Sequence, residues 1–376
     1  MNKNKIYILQ LGMTKNIGGM ETYLMSQYRK LDKKYIQYDF VNLSKDDKMA
    51  FSEEIKNNGS KIYSVPKRKY HPFLHYYEMM KILFHNRKKY KYIVLNTCHL
   101  YYIFPLFFAK IIQIPNRIIH SHNSDDEIKI SFFRKILINI NKILMHFSVT
   151  DYWACSEIAG KWMFKNRNFR VIHNAINVSD FVYNESIRQK VRTQLGLLKD
   201  EFVIGHVGRF SYQKNHDFLI DVFNEVHRRL PEAVLILIGD AVEDELYLNK
   251  AKQKVKELNL VENVRFLGIR NDVPDLMQAM DCFLFPSRFE GLGIVIIEAQ
   301  TAGLPCYVSS VIPNEVKITN LVDFISLNES PENWAEKIIK NKNYKRKDAS
   351  KEIIKAGYDI NTEIKKMQKF YEREDI

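Results

Sequence analysis

The sequence predicts an α/β protein built from two parallel sheets, and three observations support this fold class. At 376 residues the chain exceeds one ordinary core and suits two domains. Apolar runs of about five residues alternate with helix-length stretches, which is the pattern of βα units. After a polar passage over residues 177–201 the alternation begins again. We therefore expect two Rossmann-like halves, with ligands at the carboxyl ends of the strands.

The predicted elements divide the chain into two domains and a tail. We expect an N-terminal domain over residues 1–180 and a C-terminal domain over residues 181–351. One long charged helix is expected in the tail, residues 352–376, and should pack back on the N-terminal domain. The predicted strands of the first domain are KIYILQL, YDFVNL, KIYSVP, YKYIVLN, NRIIHSH and DYWACS. Those of the second domain are FVIGHVGR, AVLILIGD, NVRFLG, DCFLFPS and CYVSS.

Positive charge is concentrated in the first half of the chain. The formal net charge is +13, and residues 1–175 carry the excess while the remainder is close to neutral. The stretch KRKYHPFLHYYEMMKILFHNRKKYKY (67–92) interleaves basic and aromatic residues. This pattern suits an anionic membrane surface, and also single-stranded nucleic acid. A solubilising lysine-rich surface would produce the same composition.

The cysteines and the apolar segments are typical of a cytoplasmic protein. The four cysteines lie far apart without a C-x-x-C pair, which argues against a zinc site or a disulfide framework. The longest apolar stretch, residues 100–115, is shorter than the roughly 18–20 residues that a membrane span needs. The start of the chain reads as a first strand rather than a signal peptide. No transmembrane helix is expected.

Two cations after the first strand of the second half predict an anion site. In GHVGRFSYQKNHDF the strand ends at Gly208, Arg209 and Lys214 follow in the loop, and a helix begins near His216. The positive end of the helix dipole adds to the charge of the two side chains. Arginine can also bind phosphate oxygens through two parallel hydrogen bonds. A solvated loop with two cations together by chance is the alternative.

The segment FEGLGIVIIEAQTAGLP (289–305) places two carboxylates around a glycine-rich loop. Glu290 follows the strand DCFLFPS, and Glu298 lies about one turn inside the next helix. Gly291 and Gly293 allow the backbone to approach a ligand and direct N–H groups at an anion. A carboxylate can accept hydrogen bonds from the vicinal diol of a ribose. The pair therefore suits a ligand with hydroxyls at both ends of a diphosphate, although Glu298 could also form a local cap or salt bridge.

The combination of GRFSYQKN, FLGIRNDVPDLM and FPSRFEGLGIVIIEAQTAGLP resembles the retaining glycosyltransferases of family four, which have the GT-B fold. NIGGMETYL and RIIHSHNS extend the resemblance to nearly the whole chain. SVIPNEVKIT, SPENWAEKI and AGYDI resemble the subgroup that builds bacterial capsular and exopolysaccharides. The resemblance implies two Rossmann-like domains facing across a cleft. The N-terminal domain would bind the acceptor and the C-terminal domain the nucleotide-sugar donor.

The resemblance also implies a role for each residue of the donor site. Arg209 and Lys214 would hold the diphosphate. Glu298 would bind the ribose hydroxyls and Glu290 the hydroxyls of the transferred sugar. The other substrate-binding positions are expected near the diphosphate (Gly18, Gly19, Gly291, Leu292 and Gly293) and beside the nucleobase (Ile269 and Arg270).

In this family a histidine at the end of an N-terminal-domain strand lies near the reacting sugar, and RIIHSHNS contains two candidates. His120 and His122 are two residues apart and therefore share one face of the strand. A strand end at Asn123 favours His122 for the catalytic position, with His120 second. A buried structural histidine is the alternative for each. The other expected catalytic residues are Arg209, Lys214 and Glu290.

The expected reaction is metal-independent transfer with retention. Breaking the anomeric bond puts negative charge on the leaving nucleoside diphosphate, and fixed cations stabilise that charge most in the transition state. Because no D-x-D motif occurs, Arg209 and Lys214 are expected to supply the charge, without a metal or other cofactor. The expected donor is a UDP-sugar and the expected acceptor a polyprenyl-diphosphate-linked oligosaccharide. Such an acceptor would bring the basic domain to the anionic inner face of the membrane.

Other functional classes fit the sequence less well. A dehydrogenase is disfavoured because no G-x-G-x-x-G follows the first strand, and a phosphate-loop NTPase because no G-x4-G-K-[ST] occurs. A nucleotide-sugar epimerase on the same fold stays open, and it would need no acceptor. A non-catalytic basic protein that binds membrane or RNA also stays open, although no nucleic-acid partner is expected.

Overall fold

The computed structural model describes residues 5–123, 131–241 and 245–373, which form two compact units. The chain passes from unit 1 to unit 2 after Ala175 and returns to unit 1 after Asp359. Each unit is a parallel sheet with helices on both faces. The α/β fold class with two Rossmann-like domains is therefore confirmed.

Unit 1 contains a seven-stranded parallel sheet in the described residues, with the strand order β3-β2-β1-β4-β5-β6-β7. Its central strands are apolar and buried along most of their length, as expected for a parallel sheet covered on both faces. The strands are β1 (Ile6–Leu11), β2 (Ile36–Asn42), β3 (Ile62–Ser64), β4 (Tyr90–Thr97), β5 (Asn116–Ser121), β6 (Asp151–Ala154) and β7 (Arg170–Val171).

Helices cover both faces of this sheet. They are α1 (Gly19–Lys30), α2 (Ser52–Asn57), α3 (Pro72–His85), α4 (Phe104–Ile111), α5 (Phe132–Ser148), α6 (Glu157–Phe164) and the C-terminal α15 (Ile360–Tyr371). Side chains of α1, α2 and α15 share one buried cluster with the sheet. Side chains of α3, α4, α5 and α6 share the cluster on the opposite face.

Unit 2 contains a six-stranded parallel sheet in the described residues, with the order β10-β9-β8-β11-β12-β13. Its strands are β8 (Phe202–Val207), β9 (Ala233–Ile238), β10 (Val264–Phe266), β11 (Cys282–Phe285), β12 (Cys306–Ser309) and β13 (Val322–Ile325). Its helices are α7 (Val178–Phe181), α8 (Glu185–Gln194), α9 (His216–Arg229), α10 (Leu246–Glu257), α11 (Val273–Ala279), α12 (Ile294–Thr301), α13 (Pro331–Lys340) and α14 (Ser350–Lys355), with a 3₁₀ turn at Asn314–Val316. α9, α10 and α13 cover one face, and α7, α8, α11, α12 and α14 the other.

The C-terminal tail forms two helices instead of the single long helix that the sequence predicted. Gly357 adopts a φ of +89° between α14 and α15, and a left-handed residue ends a helix. α14 belongs to the core of unit 2 through Ile353. α15 belongs to unit 1, where the Tyr371 hydroxyl lies 3.3 Å from that of Tyr38. The chain therefore returns to unit 1 at Ile360, eight residues after the predicted boundary.

The strand orders define one switch point in each sheet. In unit 1 successive connections run in opposite directions from β1 and β4, and in unit 2 they do so from β8 and β11. Ligands of open α/β sheets bind outside the carboxyl ends of the strands at such points. The loops that follow these four strands are therefore the places to look for a site.

Candidate functional site

Lys214 and Glu290 form a buried ion pair at the carboxyl ends of β8 and β11. Lys214 Nζ donates a hydrogen bond to Glu290 Oε1 at 2.6 Å, and the two side chains are 13% and 9% exposed. Lys214 Nζ also lies 4.5 Å from the centre of the Phe285 ring. Removing either partner would leave a poorly solvated charge, so each holds the other in place. From sequence, Lys214 is expected at the diphosphate and Glu290 at the sugar. In the structure the two side chains are hydrogen-bonded to each other.

Hydrogen bonds join the loop after β8 to the loop after β11. The Arg288 backbone N–H donates to the Gln213 carbonyl at 2.8 Å, and Gln213 Nε2 donates to the Phe289 carbonyl at 2.9 Å. Asn215 Nδ2 donates to the Pro286 carbonyl at 3.2 Å. These bonds make the two loops one continuous surface at the switch point of unit 2.

Arg209 is exposed on this edge of the sheet. In the described part of the chain its guanidinium has no hydrogen-bond or ion-pair partner, whereas the next residue, Phe210, is buried. An arginine anchored by a buried neighbour and free at its tip can bind phosphate oxygens through two hydrogen bonds.

Gly293 begins α12 with a backbone that favours glycine. It is the N-cap residue, with φ +86°, and a Cβ there would lie 3.0 Å from Ile296 Cδ1. A side chain at this position would therefore be strained by conformation and by contact. Gly291 and Leu292 complete the loop, and Leu292 is buried in the core of the unit.

Glu298 lies in the second turn of α12 and is half-buried. Burial raises the pKa of its carboxyl to about 7. Among the residues that the structure describes, none donates a hydrogen bond to that carboxyl or forms an ion pair with it. Side chains of a helix lean toward its N-terminus, so this carboxyl leans toward the loop at Gly291–Gly293. The local salt bridge considered from sequence is not seen in the described residues.

Within the described residues, several buried polar atoms near the Lys214–Glu290 pair lack a hydrogen-bond partner. They are His206 Nε2, Ser211 Oγ, Asn215 Oδ1, Ser287 Oγ and both ring nitrogens of His216. His206 Nδ1 donates to the Leu284 carbonyl at 2.8 Å, and burial lowers the pKa of this histidine to about 3. Because buried polar groups are normally paired, such a group of atoms points to a ligand or ordered water. The sequence analysis missed these residues, although all of them lie in or beside the ends of β8 and β11.

His122 lies just beyond the end of β5, in unit 1. Its Nε2 lies 3.1 Å from Asn96 Oδ1, while Asn96 Nδ2 donates to the Gln10 side chain and to the Leu11 carbonyl, each at 3.0 Å. Asn96 Oδ1 therefore accepts, and His122 Nε2 carries the hydrogen. Burial lowers the pKa of His122 to about 3, so the ring is neutral. Its buried Nδ1 has no hydrogen-bond partner among the residues that the structure describes and is left as an acceptor.

His120 is fully buried inside β5, which ends at Ser121 and not at Asn123. Its ring centre lies 4.1 Å from that of His122, and its Nδ1 lies 3.5 Å from the Tyr23 hydroxyl. Burial lowers the pKa of His120 well below its usual value. His120 thus packs beneath His122, which lies nearer the end of the strand.

The first βα loop contains a close backbone approach at the switch point of unit 1. Gly18 is the N-cap residue of α1 and Gly19 its first residue, and a Cβ on Gly19 would meet no atom within 4 Å. Gly12, which the sequence analysis did not select, has φ +117°, and a Cβ there would lie 2.1 Å from the Asn96 carbonyl oxygen. Only glycine fits such a position.

Ile269 and Arg270 lie apart from the other candidates of unit 2. They follow β10, two strands away from β8 in the sheet. Ile269 is 68% exposed, and Arg270 forms a two-bond ion pair with Asp272 at 2.8 and 2.6 Å. The Gly268 carbonyl accepts from the Gly239 N–H at 2.9 Å, which holds this segment beside the end of β9.

The edge of unit 2 at β8 and β11 has the chemistry to bind an anion that also carries hydroxyls. It combines an exposed arginine, a lysine held by a carboxylate, a second carboxylate without a partner and a glycine-rich loop. Within residues 5–123, 131–241 and 245–373, no group of three or more His, Cys, Asp or Glu side chains is placed to hold a metal ion.

Comparison with known proteins finds a family model for part of the chain and a relative over nearly its whole length. Residues 187–359 match the family model described as Glycosyl transferases group 1. The Bacillus subtilis (strain 168) protein EpsF is 29% identical over 97% of this chain and 96% of its own length. The Escherichia coli UDP-Gal:alpha-D-GlcNAc-diphosphoundecaprenol alpha-1,3-galactosyltransferase is 32% identical over 42% of this chain and 41% of its own.

Two solved structures share the fold of nearly the whole chain. Anabaena HepE, solved in complex with UDP and glucose, has a TM-score of 0.78 at 21% identity and covers 97% of this chain and 99% of its own. WaaG, a glycosyltransferase involved in lipopolysaccharide biosynthesis, has a TM-score of 0.71 at 16% identity and covers 98% and 100%. The match to the family model of glycosyl transferases group 1 thus covers residues 187–359, and the fold is shared with these structures over nearly the whole chain.

Proposed function

We propose that this glycosyltransferase moves a sugar, with retention, from a UDP-sugar to a polyprenyl-diphosphate-linked oligosaccharide. The observation that carries the proposal is the group of side chains at the ends of β8 and β11, where Arg209, the Lys214–Glu290 pair and Glu298 surround one glycine-rich loop. The UDP and UDP-glucose complexes of Anabaena HepE support the choice of donor. The E. coli relative, named for UDP-Gal and a diphosphoundecaprenol acceptor, supports the choice of acceptor.

In unit 2 the proposed roles follow from charge. Arg209 and Lys214 bind the diphosphate, and Glu290 holds Lys214 in position while facing the hydroxyls of the sugar. Glu298 accepts hydrogen bonds from the ribose diol. The loop at Gly291–Gly293 lies against the phosphates. The backbone of Ile269 and Arg270 borders the nucleobase.

In unit 1, Gly18 and Gly19 are proposed to lie against the diphosphate, with open space beside Gly19, and His122 is proposed to accept a hydrogen bond from a hydroxyl of the transferred sugar through Nδ1. His120 supports the His122 ring from below. Each ring is neutral, so neither adds positive charge next to a sugar that develops positive charge in the transition state.

The proposed chemical step needs no metal or other cofactor. The bond from the anomeric carbon to the diphosphate oxygen breaks, and the acceptor hydroxyl forms the new bond from the same face. The acceptor proton passes to the leaving phosphate oxygen. Arg209 and Lys214 stabilise the charge that develops on that oxygen, which is the type of interaction that contributes most to such reactions.

The proposed setting is the synthesis of a capsular or extracellular polysaccharide at the cytoplasmic face of the membrane. The lipid-linked acceptor would be reached from unit 1, whose excess of Lys and Arg suits an anionic surface. The sequence motifs that resemble polysaccharide-building glycosyltransferases support this setting.

The test is release of free nucleotide from a UDP-sugar, with and without a lipid extract that contains polyprenyl-linked saccharides. A transferase releases UDP only when the acceptor is present, and Arg209→Ala should lower kcat roughly 10²–10³-fold, the cost of removing one donor to a developing oxyanion. Conversion of the donor sugar without release of UDP would support an epimerase instead. A loss of less than threefold in both Arg209→Ala and Lys214→Ala would remove these residues from the mechanism.

A further inference from the structure

The outward face of α5 in unit 1 is apolar and uncovered in the described residues. Its large exposed side chains are Phe132, Phe133, Ile136, Leu137, Ile140, Ile143 and Phe147. At 100° per residue these seven positions fall within one stripe about 140° wide. The residues that α5 buries against the rest of unit 1 are Asn141, Met145 and Ser148, which fall in the adjoining sector of the helix. We call this stripe of seven side chains the α5 face.

Cations border the α5 face, and no acidic residue occurs between Phe132 and Ser148. Arg134 and Lys135 are exposed in the first turns of the helix. Lys135 and Lys142 line a cavity of about 250 Å³ together with Trp162. An apolar stripe with flanking cations is the pattern of helices that lie in the surface of an anionic bilayer.

Neighbouring helices extend this surface. α3, α4 and α5 pack side by side on one face of the sheet of unit 1. On α3 the side chain of Phe73 is 91% exposed, and Tyr77 is exposed as well. From sequence, residues 67–92, which contain α3, were one candidate for a membrane surface, but the wider apolar stripe lies on α5.

We propose that unit 1 docks on an anionic lipid bilayer through the α5 face, with α5 lying in the interface and its cations on the lipid phosphates. In the described ranges no helix is long and apolar enough to cross a membrane, so the expected mode is surface docking. A second copy of the chain fits less well, because a two-fold contact would bring together two copies of a face that is bordered by cations and has no acidic residue to neutralise them. This inference names the element behind the membrane contact of the proposed function, and it rests on that function for its purpose.

The test is co-sedimentation of the full chain with vesicles that contain phosphatidylglycerol, compared with pure phosphatidylcholine. The variant Ile140→Glu/Ile143→Glu places two acids on the α5 face at exposed positions. The matched control is Leu198→Glu/Val261→Glu, which makes the same change at exposed sites of unit 2. We expect the α5 variant to lose about tenfold or more in vesicle partitioning, and the control to bind like the wild type. Added salt should weaken wild-type binding.

Equal binding of the α5 variant and the wild type to anionic vesicles would overturn the proposal. A wild type that does not bind anionic vesicles would overturn it as well. A wild-type dimer that the α5 variant dissociates, without a change in vesicle binding, would assign the face to a second copy instead. Thermal shift with UDP separates this inference from the donor proposal. A protein that binds UDP but no vesicle refutes docking alone, and one that binds vesicles through α5 but no nucleotide refutes the donor site alone.

Discussion

The proposed role of Glu298 at the ribose, together with its raised pKa, predicts that donor binding depends on pH. A ribose diol donates its hydrogens, so the carboxyl must be ionised to accept both. Burial raises the pKa of this group to about 7 in the free protein. A ligand that binds only the ionised form has an apparent dissociation constant divided by the ionised fraction.

The size of the effect follows from that value. For a pKa near 7 the ionised fraction falls from about nine-tenths at pH 8 to about one-tenth at pH 6, so affinity should fall about tenfold, or about 1.4 kcal/mol. Glu298→Gln keeps the shape of the side chain but cannot ionise. Its affinity should be lower than that of the wild type at pH 8, by about 1.5–3 kcal/mol for a hydrogen bond to a charged group, and insensitive to pH.

The assay is isothermal titration calorimetry with UDP-glucose, whose phosphates do not titrate between pH 6 and pH 8. The wild type and Glu298→Gln are titrated at both pH values, so any pH dependence from other groups appears in both proteins. A wild-type affinity that changes less than about twofold would refute the reasoning. An equal pH dependence in Glu298→Gln would refute it as well.

The same substitution should have the opposite effect on stability. Because folding raises the pKa of this acid from its usual value of about 4.5 to about 7, the folded state binds more protons than the unfolded state in that window. The free energy of unfolding therefore falls as the pH rises through it. Glu298→Gln should raise the melting temperature of the free protein at pH 8 and have a smaller effect at pH 5. A variant that is destabilised at pH 8 would contradict the assigned burial.

Three further predictions concern other parts of the site. Lys214→Ala should lower both stability and kcat, because it removes the cation that neutralises the largely buried Glu290 carboxylate. Lys214→Ala/Glu290→Gln should regain stability, measured by urea unfolding, without regaining turnover. Since the pKa of His122 is about 3, the plot of kcat against pH should show no change from titration of this histidine between pH 5.5 and 8, whereas the KM for the donor should rise below pH 7. A change in kcat centred near pH 6.5 that is lost in His122→Asn would contradict this. Gly293→Ala should lower the free energy of unfolding by about 1–3 kcal/mol through backbone strain and should also weaken UDP binding. The control is Gly303→Ala at the far end of α12, where φ is +70°; it should lower stability only.

The fold was predictable because each βα unit has its own sequence pattern, a short apolar run followed by a helix-length stretch. The run AVLILI is fully apolar and FVIGHV is apolar except for His206, as expected for strands buried on both faces, and a polar passage separates the two halves. The break in the tail was not predicted, because the charges around Gly357 continue a helical pattern. One glycine in a left-handed conformation ends α14, and only the packing of Ile353 in unit 2 reveals why.

The site was predictable where its residues stand next to strand ends in the sequence. Arg209, Lys214 and Glu290 were selected for that reason. The Lys214–Glu290 bond joins residues 76 positions apart, and no local pattern encodes it. The hydrogen bond that fixes the tautomer of His122 is accepted by Asn96 on β4, which only the sheet order brings close.

The measurement that tests the central claim most directly is thermal shift of the purified protein against UDP, GDP, ADP, dTDP and CMP, with EDTA present. We expect a clear shift with one nucleoside diphosphate, UDP, that is lost in Glu298→Ala. At 100 times the dissociation constant, bound nucleotide should add about 2.7 kcal/mol to the free energy of unfolding. No shift with any nucleotide would contradict the assignment of the edge at β8 and β11 as the donor site.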